Sequence, residues 1–212
     1  MKTSNAYNAL FVSLVLFTFS CTSELGQNKL LKPWTGPYMG TPAFDKMQVA
    51  DVNPAMLKAM ELKLEEIETI ASNPEAPSFE NTIEAMERSG KVFDRAFTYY
   101  GIFISNMSSP EFREVQIELA PLFSSFQSKI TQNKQLFQRI KSVYEASKTN
   151  PLRADQQRVV ELTYQRFAIN GADLDDEKKK RYAAINKELS TLYTKFSNNI
   201  LHDEENYVTY LK

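Results

Sequence analysis

The 212 residues carry 42% apolar and 12% aromatic side chains, enough to bury a core and too apolar a mixture for intrinsic disorder. With 25 Lys+Arg against 26 Asp+Glu the net charge is −1, which excludes a field drawing the chain to nucleic acid or to an acidic membrane surface. Partners must therefore be argued from motifs.

Residues 1–20 hold a lone Lys2, a polar stretch and then the apolar run ALFVSLVLFTF over 9–19. That run is shorter than the roughly 20 apolar residues that cross a bilayer and has the size of a signal-peptide core. Residues 1–20 are therefore read as a signal peptide. Cys21, the single cysteine, follows Ser20 directly, where a bacterial lipoprotein signal places its lipidated residue. Ser20 suits that pattern, whereas Thr18 and Phe19 replace the usual Leu and small residue. Cys21 is taken as a lipidation site, because a lone thiol is otherwise a liability in an oxidising compartment. The alternative is ordinary signal cleavage nearby with an incidental cysteine. The expected location is the bacterial cell envelope, periplasmic or as an anchored lipoprotein, with membrane contact only through signal or lipid. Residues 21–52 include the Pro/Gly-rich KPWTGPYMGTPAFD and predict an extended arm or tether.

Over 53–205 the apolar residues keep a three-four spacing, which predicts an all-α domain of long antiparallel helices. Asn53-Pro54 reads as cap and first helical position, with Leu57, Met60, Leu64, Ile67 and Ala71 on one face until Asn73-Pro74. A second helix is expected from Ser78 or Asn81 with the stripe Ile83, Met86, Gly90, Phe93, Phe97, Tyr100, Ile104, Gly90 allowing close approach or a kink. Ser109-Pro110 opens a third, carrying Val115, Leu119, Leu122, Phe126, Ile130, Phe137, Ile140 and Tyr144, with a bend or break expected near Pro121 and an end at Asn150-Pro151. A fourth runs from Ala154 to Ile169 and stops at Asn170-Gly171. Asp175 caps a fifth with the stripe Tyr182, Ile185, Leu189, Leu192, Phe196 and Ile200. Its outward face, Glu177 to Arg181 with Lys187 and Glu188, is read as solvated rather than nucleic-acid binding, because acids interleave the bases. Residues 206–212 begin an alternating pattern that then stops, as expected of a truncated following segment.

Chemistry is harder to find. A catalytic zinc takes three protein ligands, the first two commonly on one helix face as H-E-x-x-H. This sequence contains no such motif and one histidine, His202, in the polar run His202-Asp203-Glu204-Glu205 at the expected end of the fifth helix. It is read as a solvated terminus and not a metal ligand. No Ser-His-Asp order, phosphate loop or Cys-His pair stands out, so no catalytic or metal residue is assigned. The aromatics Phe93, Phe97, Tyr99 and Tyr100 are read as core and helix seam, with channel lining as the alternative.

Three stretches nevertheless carry a family resemblance: PSFENTIEAMERSG (77–90), LFxRI (136–140), and YQRFAINGADL with KKKRYAAINKELSTLYTKFSNNI (164–200). In order and spacing they resemble the amino-terminal helical region of the M3 zinc metallopeptidases, the peptidyl-dipeptidase and oligopeptidase group, and more the bacterial peptidyl-dipeptidases than the mammalian oligopeptidases. The resemblance covers nearly everything after Leu30. It implies one wall and the roof of a deep channel, short peptides as substrates, and a zinc held in another part of the enzyme by H-E-x-x-H and a later glutamate. It also implies a missing carboxy-terminal catalytic domain as partner, with zinc in the full-length enzyme and none held by this chain. A self-contained helical envelope lipoprotein that binds a partner and catalyses nothing is the competing reading.

Overall fold

The computed structural model describes residues 28–35 and 40–209, and every regular element among them is helical. The expected signal peptide over 1–20 and the expected lipidation residue Cys21 lie outside the described residues. Seven α-helices follow in order: α1 Val49–Ala71, α2 Ala85–Arg88, α3 Lys91–Asn106, α4 Pro110–Thr131, α5 Lys134–Thr149, α6 Ala154–Ile169 and α7 Asp176–Asn206. No described helix is long and apolar enough to cross a membrane.

Helix α1 sits at the centre, packed on α3, α4 and α5, while α6 lies on α5 and α7 on α4. The side-chain pairs between elements give their directions. Phe93 stacks near Phe126 and Phe103 near Phe112, so α3 and α4 run antiparallel. Lys179 reaches the Gln132 carbonyl, Ser190 that of Ala120, and Arg113 pairs with Glu205, so α7 runs back along α4. Asn53 bonds Glu118 and Asn133 bonds Glu68, which sets α1 parallel to α4. The core runs through Val52, Ala55, Met56 and Ala59 of α1, Tyr99 and Phe103 of α3, Phe112 and Leu119 of α4, and Leu136 and Ile140 of α5.

Several caps follow local chemistry as the sequence predicts. Ser109 accepts the Phe112 amide at 3.1 Å with Pro110 in the first turn. Asp175 accepts the Lys178 amide at 2.9 Å. At the end of α6, Gly171 takes φ +84°, its amide bonds the Ala168 carbonyl, and the Ala172 amide bonds Phe167. That pair of bonds needs a left-handed residue, which glycine adopts without strain.

Four expectations need correction. The described part of the 21–52 arm is docked rather than extended. Leu30 and Leu31 are buried in the core, Asn28 donates to the Asp51 carbonyl at 2.8 Å, Arg95 donates to the Leu31 carbonyl, and Ala43 donates its amide to Tyr99 Oη at 3.0 Å. Helix α1 begins at Val49 with Pro54 inside it, because burying Val52, Ala55 and Met56 outweighs the one backbone bond a proline removes. Asn53 does not cap; its amide reaches Glu118 at 2.7 Å. The expected second helix is three pieces: a wide turn over Phe79–Glu84, where the Ala85 amide reaches the Glu80 carbonyl, then α2, then α3 after a break at Ser89-Gly90. Gly90 has φ +82°, and α1 holds the break: the Glu66 carboxylate accepts the Gly90 amide and Lys63 donates to the Ser89 carbonyl. After the break the buried face is Ala96, Tyr99, Tyr100 and Phe103, leaving Phe97 and Ile104 exposed. Finally, the expected third helix runs unbroken through Pro121 and divides instead at Gln132-Asn133, where Asn133 caps α5 through the Leu136 amide.

Candidate functional site

The three stretches that carry the family resemblance meet at α5. Arg139, buried to 6% exposure, donates to Asn81 Oδ1 at 2.8 Å and to the Asn73 and Glu75 carbonyls at 2.7 and 3.0 Å. Asn81 in turn makes a reciprocal box with Ser78, its Oδ1 accepting the Ser78 amide at 2.8 Å while Ser78 Oγ accepts the Asn81 amide at 3.1 Å. All three acceptors of Arg139 are neutral, so a planar guanidinium ties down a loop by its fork of donors rather than by an ion pair. On the other side of α5, Phe137 stacks on Tyr164 at 5.8 Å and lies near Phe167 at 6.5 Å, while Tyr144 stacks on Tyr164 at 4.2 Å. One turn of α5 thus joins the first stretch to the third.

The sequence reading held Arg139 only as a letter of the LFxRI stretch and gave it no role. Its signal was an arginine set among Leu136, Ile140 and Val143 on the apolar side of α5, all of which are buried with it. A charge inside a helical stripe needs partners from another element.

Two concavities accompany this frame. An open trough of about 430 Å³ runs between α4 and α7, lined by Ser124, Gln127, Ser128 and Asn186 with the rings of Phe123, Tyr182 and Tyr193. No charged side chain lines it. Hydroxyls and amides of this kind match main-chain N–H and C=O groups and discriminate little between charges. A second recess of about 290 Å³ sets Lys63 and Arg166 with Glu87 and Asp94 over a floor of Ile67, Met86, Ile130 and Phe167. Its charges cancel, and the one hydroxyl in its lining, Ser89 Oγ, donates to the Met86 carbonyl at 2.7 Å.

The aromatics divide. Tyr99 and Tyr100 are core, as expected, joined by Phe103 and Phe112, which the expected stripes left out, and burial pushes the Tyr100 phenol up to about 12. Phe97 is 44% exposed, stacked on Phe93 at 5.6 Å and edge-on to Phe123 at 5.8 Å, so it ends an aromatic stack at the surface. His202 lies exposed in the last turns of α7, near Glu205, whose carboxyl is held below its ordinary range first by the hydrogen bond from Arg113 and further by the charges of Arg113 and His202. The donor set does not fit a catalytic zinc: one histidine is present in the sequence, and among the described residues no three His, Cys, Asp or Glu side chains converge.

Residues 54–179 match the family described as the N-terminal domain of neurolysin and thimet oligopeptidase. The chain belongs to this family, the amino-terminal helical portion of the M3 peptidases. Among curated M3 relatives, it is 30% identical over 174 residues to the dipeptidyl carboxypeptidase of Escherichia coli, covering 82% of this chain and 25% of that protein. It is also 30% identical over 167 residues to a probable cytosolic oligopeptidase A of Arabidopsis thaliana, covering 76% of this chain and 23% of that one. Oligopeptidase A of Escherichia coli is 28% identical over 174 residues. The chain spans about a quarter of the length of these M3 relatives. The matched span begins within α1 and closes in the first turn of α7, so it contains the whole Arg139 junction.

Proposed function

We propose that this chain is the amino-terminal helical portion of an exported zinc metallopeptidase that hydrolyses short peptides, with the catalytic zinc motif in a part of the protein outside these 212 residues. The observation that carries the reading is the match over 54–179 to the N-terminal domain of peptidases of which this chain spans a quarter. The partner it requires is that catalytic portion of the same protein. Zinc there lowers the pKa of bound water towards about 7 and polarises the scissile carbonyl. The helices described above supply a wall against which a peptide lies; they offer no group to activate the water.

The test is zinc retention and peptide hydrolysis by the 212-residue chain, read beside the gene downstream of the Lys212 codon. Expected are no tightly held zinc, no cleavage, and an open frame that continues to H-E-x-x-H. Near-equimolar zinc after dialysis with chelator-sensitive hydrolysis overturns the reading. A stop codon at that point favours a non-catalytic helical envelope lipoprotein instead.

Export and anchoring form part of the same proposal, with Cys21 as the lipid-bearing residue. Two or more acyl chains on one cysteine anchor a protein stably, whereas one binds only marginally. The precursor expressed in a bacterium should take up labelled fatty acid and partition into detergent, and Cys21→Ala should do neither. An unlabelled, aqueous wild type removes lipidation from the reading.

A further inference from the structure

The mixed-charge recess is built by α1, α2, α3, α4 and α6 together. All of its lining lies between Lys63 and Phe167, so it belongs to the helical body and owes nothing to α7. Its floor is core. Ile67, Ile130 and Phe167 are only 3%, 8% and 1% exposed yet line the open space, with Met86 half-buried beside them. A concave apolar floor that solvent can reach favours a ligand whose apolar group displaces that water.

Around the floor stand two cations, Lys63 and Arg166, and two carboxylates, Glu87 and Asp94. They have not collapsed onto one another. Among the described residues no ion pair joins any of the four, and Lys63 instead donates to the Ser89 carbonyl at 3.3 Å. The four come from α1, α6, α2 and α3 respectively, so helix packing fixes their spacing, helped by the Glu66 bond to the Gly90 amide that holds the break between α2 and α3.

This arrangement selects its ligand by three requirements. An anion would meet the two carboxylates and a cation the two basic groups, so either would set like charges side by side. A neutral apolar molecule would cover the ring of charges without pairing them. A molecule with one ammonium, one carboxylate and one apolar side chain satisfies both signs and the floor. The space, about 290 Å³, stands at the small end of ligand pockets, which suits a single amino acid better than a chain.

We propose that this recess binds a free α-amino acid with an apolar side chain, the side chain lying on Ile67, Ile130 and Phe167, the carboxylate toward Lys63 and Arg166, and the ammonium toward Glu87 and Asp94. The charges set its orientation and the floor its side-chain preference. The inference goes beyond the peptidase reading and does not depend on where the catalytic zinc lies.

Calorimetry and backbone amide shifts of the full chain, with L-leucine as the probe at millimolar concentration, test it. Saturable binding is expected, with the shifts centred on Gly90, Asp94 and Phe167. N-acetyl-L-leucine lacks the ammonium, L-leucinamide the carboxylate and glycine the side chain, and each should bind about tenfold more weakly or worse. Arg166→Gln and Asp94→Asn, both at exposed positions, should each weaken leucine about tenfold with the helical circular dichroism unchanged. No saturable binding, equal binding of the acetylated or amidated forms, or shifts centred elsewhere overturns the proposal. Leucyl-leucine bound more tightly than leucine assigns the recess to peptide ends and overturns it too. Binding that disappears once the downstream portion of the protein is attached shows that portion seated in the recess, with the same consequence.

Discussion

Arg139 and Asn81, 58 positions apart in the chain, are joined by a hydrogen bond from Nη2 of the first to Oδ1 of the second at 2.8 Å, and the loop after α1 hangs on that contact. The same guanidinium holds the carbonyls of Asn73 and Glu75, so one side chain serves three acceptors. Replacing it by methionine keeps the apolar stem and takes the donor from those two part-buried carbonyls, while Asn81 Oδ1 keeps the Ser78 amide. Arg139→Met should cost about 2–4 kcal/mol, read as a lower urea midpoint. Arg139→Lys should recover only part of it, because one ammonium cannot reproduce the fork. A loss under 0.5 kcal/mol for Arg139→Met would show that water serves those carbonyls equally well.

Two glycines should respond in opposite directions. Gly171 has φ +84° and a Cβ there would meet Leu174 Cδ1 at 2.9 Å, so Gly171→Ala should destabilise by about 1–2 kcal/mol. Gly101 lies inside α3 with nothing within 4 Å of a Cβ, so Gly101→Ala should stabilise by about 0.5–1 kcal/mol. Thermal or denaturant unfolding of the pair checks both signs at once.

The buried phenol of Tyr100 makes an alkaline prediction. Its folded pKa, pushed up to about 12, exceeds the unfolded value of 10.0, so the folded state retains a proton that the unfolded chain loses. The associated stability is fully present below pH 10 and is lost as pH rises towards 12, by up to about 2–3 kcal/mol. Tyr100→Phe should flatten this part of the profile. Equal slopes between pH 10 and 12 for wild type and variant would contradict it.

At the far end of α7 the sign reverses. Arg113 holds the Glu205 carboxyl below its ordinary range, so this contact favours the folded state above the unfolded carboxylate pKa and fades as pH falls through the lowered folded value. Glu205→Gln should therefore speed amide exchange in the last turn of α7 at pH 7, and the difference from wild type should shrink as pH falls and the carboxyl takes up its proton. The effect belongs to local fraying rather than global stability, since Glu205 is exposed in the last turn of the helix.

What could be read from the sequence was what short-range chemistry decides. The limits of α6, the Ser109-Pro110 start, the Asp175 cap and the Asn170-Gly171 stop depend on residues within a turn of the boundary, and each stands where it was expected. The break at Gly90 depends on Glu66 and Lys63 of another helix, and no local signal marks those partners. The division at Asn133 did leave a trace: between Ile130 and Phe137 the expected stripe skips a turn. Pro121 pointed the other way, yet α4 continues through it with Leu119, Ala120 and Phe126 buried around it. Residues 207–209, expected to open a strand, include an extended Tyr207 at φ −89°, ψ 126°, with no strand partner among the described residues. For the candidate site, the motif stretches were visible as strings, but their convergence on Arg139 and Phe137 is a property of the packed chain.

The docking of Leu30 and Leu31 sets a distance. Because the chain from Asn28 onward is fastened to α1 by the Asn28 bond and the Lys29–Asp51 ion pair at 2.9 Å, only the stretch between Cys21 and Asn28 remains to span any gap. Fully stretched, that stretch reaches about 25 Å. On the lipidation proposed above for Cys21, Asn28 and the start of α1 beside it would lie no more than about 25 Å from the bilayer surface.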